Sequence, residues 1–123
     1  MALTTSQVNT MLDNNFSSNT WLALFTTNPT AAGSGTEASG GSYARQEITF
    51  GTATGASISS LNDITFTVNS GTYTYYGIMS AATGGTMKDY GRLIPGSAIV
   101  VSVDDSNINV SSGDITVTIS TSI

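Results

Sequence analysis

Glu37 and Arg45 flank a glycine-rich stretch and are the residues best placed to form a specific bond. A carboxylate and a guanidinium can pair through two parallel hydrogen bonds, which fixes geometry as well as charge. Such a bond would tie the stretch back to the strand that follows it, within one chain or between chains. Gly40 and Gly41, between them, are expected to supply backbone angles with positive φ. They do not make a phosphate cradle, because no Lys-Ser or Lys-Thr follows and no helix starts there. Asp104, Asp105, Asn107 and Asn109 offer oxygens at alternating positions, as a hard cation would require. The twelve-residue loop with its closing glutamate is missing, so a turn with local side-chain bonds is the plainer reading. Tyr73, Tyr75 and Tyr76 could present an aromatic platform to a sugar or a protein partner. Alternation along a strand instead sends at least one of them into the core. Asp63, Asp89 and Asp114 could only act as a glycosidase pair if two of them met, and nothing in their spacing brings two together.

The composition removes much other chemistry. The chain has no histidine and no cysteine. It therefore lacks the usual general base and the thiolate metal ligands. One lysine and two arginines cannot follow a phosphate backbone, so nucleic acid is not an expected ligand. No apolar run approaches the roughly 20 residues of a membrane-spanning helix. The first residues lack the basic and apolar regions of a signal peptide, which predicts assembly in a cytoplasm. No cofactor and no catalytic role are expected. Charged residues make only 9% of the chain, against roughly 25% in ordinary soluble domains. Serine and threonine make 38 of the 123 residues. Hydroxyls cost less to desolvate than charges, so this surface suits packing against other protein. The expected partners are copies of the same chain, with a trimer favoured, and a larger assembly.

A single domain must position these residues. Thr4, Thr5 or Ser6 can cap a short helix. Val8, Met11 and Leu12 would share its inner face, and Asn14 and Asn15 would stop it. Residues 1–20 thus read as a helical arm and 21–123 as a β core. Trp21 to Thr26 reads as a buried central strand ended by Asn28-Pro29. Ala31 to Ser42 reads as a surface loop. Tyr43 to Phe50 alternates as a strand with Ala44, Gln46, Ile48 and Phe50 on one face. Gly51 to Asn62 reads as a connection of small residues. Strands are expected at Ile64 to Val68, Tyr73 to Met79, Met87 to Ile94, Ala98 to Val103, Ile108 to Val110, and from Ile115 through Ile119 and Ser120. Gly91 marks a bulge or a close backbone approach. Seven or eight short strands with turn signals between them predict an all-β fold, a β-sandwich or jelly roll with a short N-terminal helix.

Three segments carry a resemblance. Leu22-Ala23-Leu24-Phe25-Thr26-Thr27-Asn28-Pro29 leads to Gly35-Thr36-Glu37-Ala38-Ser39-Gly40-Gly41-Ser42-Tyr43-Ala44-Arg45-Gln46, and Gly77-Ile78-Met79-Ser80-Ala81-Ala82-Thr83-Gly84-Gly85 follows later. Together they resemble a family of small virion proteins of tailed bacteriophages, often labelled tail fibre or minor structural protein. A Trp-Gly segment common before the Gly-Ile strand in that family is replaced here by residues 70–76. The resemblance implies a structural component of the virion. The short chain has no coiled-coil heptads or shaft repeats, which favours a capsid decoration (cement) protein that bridges major capsid subunits. A tail fibre or minor tail protein that binds the host surface is the alternative. Glu37, Gly40, Gly41, Tyr43, Arg45, Tyr73 and Tyr75 are the expected loop and interface residues.

Overall fold

A computed structural model describes residues 3–119. Among them are one helix and ten strands: α1 (Thr5–Phe16), β1 (Trp21–Phe25), β2 (Gln46–Glu47), β3 (Ser57–Ser59), β4 (Ile64–Val68), β5 (Gly71–Tyr73), β6 (Tyr75–Met79), β7 (Met87–Arg92), β8 (Ile99–Val101), β9 (Ser106–Val110) and β10 (Thr116–Thr118). The fold is all-β with a short N-terminal helix, as the pattern predicted. The last expected strand was to reach Ser120, which lies outside the described residues.

Thr4 caps α1, its hydroxyl accepting the Gln7 N–H at 3.2 Å. Val8, Leu12 and Phe16, four apart, are the buried face. Met11, expected on that face, is 37% exposed, because the buried stripe follows the i, i+4 row and leaves i+3 at its rim. Asn9 and Asp13 also lie four apart. Their side-chain oxygens accept the Ala56 and Ala53 backbone N–H groups at 2.9 Å each. A helix too short to stand alone is thus fastened by an apolar stripe and two polar bonds. At its far end Lys88 donates to the Asn15 and Ser18 carbonyls, where a cation meets the negative end of the helix dipole.

β1 lies inside a four-stranded antiparallel sheet of order β2-β1-β6-β7. Leu22, Leu24, Tyr76 and Ile78 point from one face of it into the main core. There they meet Val8, Leu12 and Phe16 of α1 and Ile58, Ile64, Phe66, Val68, Ile108, Val110 and Val117 of other strands. The opposite face carries Ala23, Phe25 and Met79, flanked by Trp21, Tyr75 and Met87. Gly91 pairs with Tyr76, and a Cβ there would lie 2.8 Å from the Tyr76 hydroxyl. It is the close approach, while the bulge falls between Ile78 and Met79.

The other strands form three two-stranded ladders, β10-β3, β4-β9 and β5-β8. Two of these are consecutive parts of one ribbon. Ile64 to Val68 pairs with Val110 to Ser106, and Gly71 to Tyr73 pairs with Val101 to Ile99. The ribbon bends where residues 69–70 face residues 102–105. Asp104 accepts the Ser70 N–H there at 2.9 Å, and Asp105 takes a left-handed φ of 59°.

Candidate functional site

The site begins with a gap beside β1. One edge of β1 pairs with β2 only at Trp21 and Leu22. At its other end Phe25 bridges Glu37, with Ala38 N–H donating to the Leu24 carbonyl at 2.8 Å. Between these two contacts the chain loops away through residues 39–45, which would leave the Leu24 N–H without an acceptor. The Tyr43 hydroxyl fills that place and accepts the Leu24 N–H at 3.1 Å. A buried backbone donor must find a partner, and here a side chain stands in for a strand. The strand expected from Tyr43 to Phe50 forms a ladder with β1 only at Gln46 and Glu47, and its far end makes a separate bridge from Phe50 to Ser60. The Tyr43 and Arg45 side chains turn toward Glu37 instead.

Glu37 is the centre of the loop. Arg45 Nε donates to its Oε2 at 3.0 Å and Nη2 to its Oε1 at 2.9 Å, a two-pronged pair. The Tyr43 hydroxyl donates to Oε2 at 2.7 Å. Arg45 Nη1 donates in the other direction, to the Ala81 carbonyl at 2.9 Å and the Gly84 carbonyl at 2.7 Å. The Arg45 side chain is 10% exposed and that of Glu37 26%. The pair expected from the sequence therefore forms, and it forms within one chain. It joins all three segments that carried the family resemblance: the end of β1, the loop from Glu37 to Arg45, and the turn from Ala81 to Gly85. Gly40 and Gly41 adopt φ of 86° and 57°. A Cβ on Gly41 would come within 2.6 Å of the Asn69 side chain, so this position needs glycine for space as well as for conformation.

The charges of the hub hold one another. Burial opposes ionisation of Glu37, but the bonds from Arg45 and Tyr43 and the guanidinium charge outweigh it, and its pKa lies below the ordinary 4.5. Burial and the bond to Glu37 raise the Tyr43 phenol. The bond to Glu37 raises Arg45, against a smaller opposing effect of burial. The folded chain thus takes up the Glu37 proton less readily than the unfolded chain does. The stabilisation is complete above the ordinary carboxyl pKa and is lost as pH falls through the lowered one. The melting temperatures of wild type and Glu37→Gln are expected to differ at neutral pH and to converge on acidification below 4.5. Asp89, whose carboxyl burial raises, changes in the opposite sense and cancels in that difference. A gap that stays constant through the carboxylate range would show that the Glu37 charge stabilises nothing.

The remaining expected residues do not join this hub. Tyr73 is 4% exposed in the main core, and its hydroxyl donates to the Asn69 carbonyl at 2.6 Å. Tyr76 is also buried, and burial together with nearby Asp89 raises its phenol to about 12. At least one of the three was expected in the core, and two lie there; Tyr73, an expected interface residue, is thereby corrected to a core residue, and Tyr75 is left as one partly exposed ring. The Arg92 guanidinium lies over that ring at 5.3 Å. The chain steps from one sheet to another at Thr74, so Tyr73 and Tyr75 do not share a strand. Asn107 and Asn109 accept bonds from the Thr67 and Thr65 hydroxyls across the β4-β9 ladder. Together with the Asp104 bond to Ser70, this commits three of the four acidic and amide groups to shaping the ribbon. Asp63 accepts from the Ser112 N–H and Asp114 from the Ser111 N–H. Among the described residues no group of three or more metal-ligating side chains comes together, and no helix is long and apolar enough to cross a membrane.

Sequence reasoning missed the acceptors of Arg45, because backbone carbonyls carry no side-chain signature. It also assigned no role to Val100 and Val103, which are 71% and 67% exposed. Their β-branched types on an uncharged strand were the available signal. No curated protein matches the chain. A family described as "Podophage GP4 fiber I protein gp80" matches residues 3–118. That span takes in the helix, every strand and all the segments joined at Arg45, and the chain belongs to this family of phage fibre proteins.

Proposed function

We propose that the chain is a static building block of a phage tail fibre, held in place by contacts with copies of itself and with neighbouring virion proteins. The observation that carries this reading is the closed hub at Arg45. Four of the five guanidinium N–H groups are spent on Glu37, Ala81 and Gly84 of the same chain. The residues most characteristic of the family resemblance therefore fix loop geometry and are not held free for a substrate. A rigid loop scaffold is what a particle that must survive outside a cell requires of its parts. The family's own description, a fibre protein, supports a place on the tail.

Capsid decoration is the second reading, favoured by the hydroxyl-covered ladders. Ser57 meets Thr118 and Ser59 meets Thr116 through their hydroxyls at 3.0 and 3.1 Å. Such a surface docks broadly at low desolvation cost. Copy number in purified particles separates the two. A tail-fibre subunit is expected at the stoichiometry of the tail proteins, with antibody label at the tail. Stoichiometry equal to that of the major capsid protein, with label over the head, would replace the fibre reading by the cement reading.

A further inference from the structure

We propose that Met87 is the oxidant-sensitive site of this chain: a hydroperoxide converts its thioether to the sulfoxide, and the change loosens the sheet on which it packs. The site is distinct from the Arg45 hub and does not depend on which part of the virion the chain occupies.

Met79 and Met87 are paired across β6 and β7, beside the bulge between Ile78 and Met79. Both line a cleft of about 510 Å³ that opens between these strands and the loop at residues 30–33. Met79 is 7% exposed, whereas Met87 is half-buried. A small molecule that enters the cleft therefore meets Met87 before Met79. Met11 is more open than Met79, but it sits on the rim of α1 and outside this cluster. What Met87 touches decides what its oxidation does. A Cβ on Gly77 would come within 2.8 Å of the Met87 methyl, 2.9 Å of Phe25 Cε1 and 3.6 Å of the Met79 sulfur. Three side chains thus converge where Gly77 has none, and the flexible thioethers fill the gap. The Met87 Cβ in turn lies 3.4 Å from the place that a Cβ on Gly33 would take, so the loop rests on the same residue.

The chain has no cysteine, so thioethers are its most readily oxidised groups. The reaction needs no catalytic side chain. A sulfur lone pair attacks one oxygen of hydrogen peroxide, a sulfur–oxygen bond forms and the oxygen–oxygen bond breaks. The sulfur gives up two electrons and the peroxide is reduced. The proton on the transferred oxygen passes to the departing hydroxide, which leaves as water. The product is polar where the thioether was apolar. Its oxygen must find a hydrogen-bond donor, because burial without one is costly. Ala23, Phe25 and Met79, the buried members of the cluster, offer none from their side chains. The sulfoxide therefore turns out into the cleft. In doing so it withdraws its methyl from Gly77 and undoes the contact that closes β7 and the loop over Phe25.

The test treats the purified full chain with dilute hydrogen peroxide and follows each methionine by peptide mass spectrometry alongside thermal melts. Met87 is expected to gain one oxygen well before Met79, and the melting temperature to fall with it by about 5 °C. Methionine sulfoxide reductases with a thiol reductant should restore both. Met87→Leu keeps the volume at small cost and is expected to abolish the fall, while Met11→Leu leaves it unchanged. A Met87 that stays reduced while Met11 oxidises overturns the proposal. So does a fully oxidised Met87 with an unshifted melt, or a fall that Met87→Leu leaves in place. The treated wild type carries its own result should the leucine variant fold poorly. The measurement is made without particles, so its failure leaves the copy-number test of the virion reading standing.

Discussion

Arg45→Ala is expected to destabilise the chain by about 3 kcal/mol and to lower its melting temperature by roughly 10 °C. The loss is not the removal of one attraction. Without the guanidinium, the Glu37 carboxylate stays partly enclosed with the Tyr43 hydroxyl as its remaining donor. The carbonyls of Ala81 and Gly84 lose their shared donor as well. Breaking a largely enclosed pair from one side costs more than the pair contributes, because the stranded charge still pays for its desolvation. Arg45→Lys should recover little. A lysine head supplies three donors from one point and cannot span both Glu37 oxygens while reaching two carbonyls on the far side. The double variant Arg45→Met with Glu37→Gln removes the stranded charge and should be more stable than Arg45→Ala alone. Thermal melts of the three variants decide the matter. Equal stability of Arg45→Ala and wild type would mean that the hub is a solvated surface pair, worth the about 0–1 kcal/mol such pairs contribute.

The Glu37–Arg45 bond was legible because charges are scarce in this chain, so two that flank a loop of small residues have few other partners. The alternation of Ile64, Phe66 and Val68 was equally plain, since a period of two is the direct imprint of a strand with one buried face. What stayed hidden has physical reasons. Ser57 to Ser59 gives almost no hydrophobic signal, with Ile58 as its single buried apolar side chain, and its pairing with Thr116 to Thr118 depends on partners far along the chain. Tyr73 to Met79 reads as one strand because nothing in the side chains announces a change of sheet. The change is made by backbone bonds at Thr74, whose N–H donates to Phe25 and whose carbonyl accepts from Leu93. Tyr43 was found as a loop residue, but its role as a substitute strand acceptor depends on a gap beside β1 that only the folded chain possesses. That nothing among the described residues pairs with the outer side of β8 is a property of topology. Sequence places a strand at residues 98–103 without saying which neighbour it lacks.

Phe66→Ala is expected to have the largest effect of any single change, a loss of about 3–5 kcal/mol. Phe66 is fully buried in β4 and pairs across the ladder with Ile108. Truncation leaves a cavity whose walls, β-strand backbone and close-packed aliphatic side chains, cannot collapse far. Native domains of this size hold only about 5–15 kcal/mol in total, so the variant should unfold at much lower urea or fail to accumulate. Phe66 also stacks against the Tyr43 ring, with centroids 6.0 Å apart and planes 14° from parallel. The core and the hub therefore share a wall, since the same Tyr43 bonds to Glu37 and Leu24. This coupling is measurable with milder changes. Phe66→Leu keeps most of the volume, and Tyr43→Phe keeps the ring while removing the hydroxyl. If the stack orients that hydroxyl, the double variant should depart from the sum of the singles by more than about 0.5 kcal/mol. Additive losses would mean that the core and the loop hub are independent, and that the family's loop geometry is set by Arg45 alone.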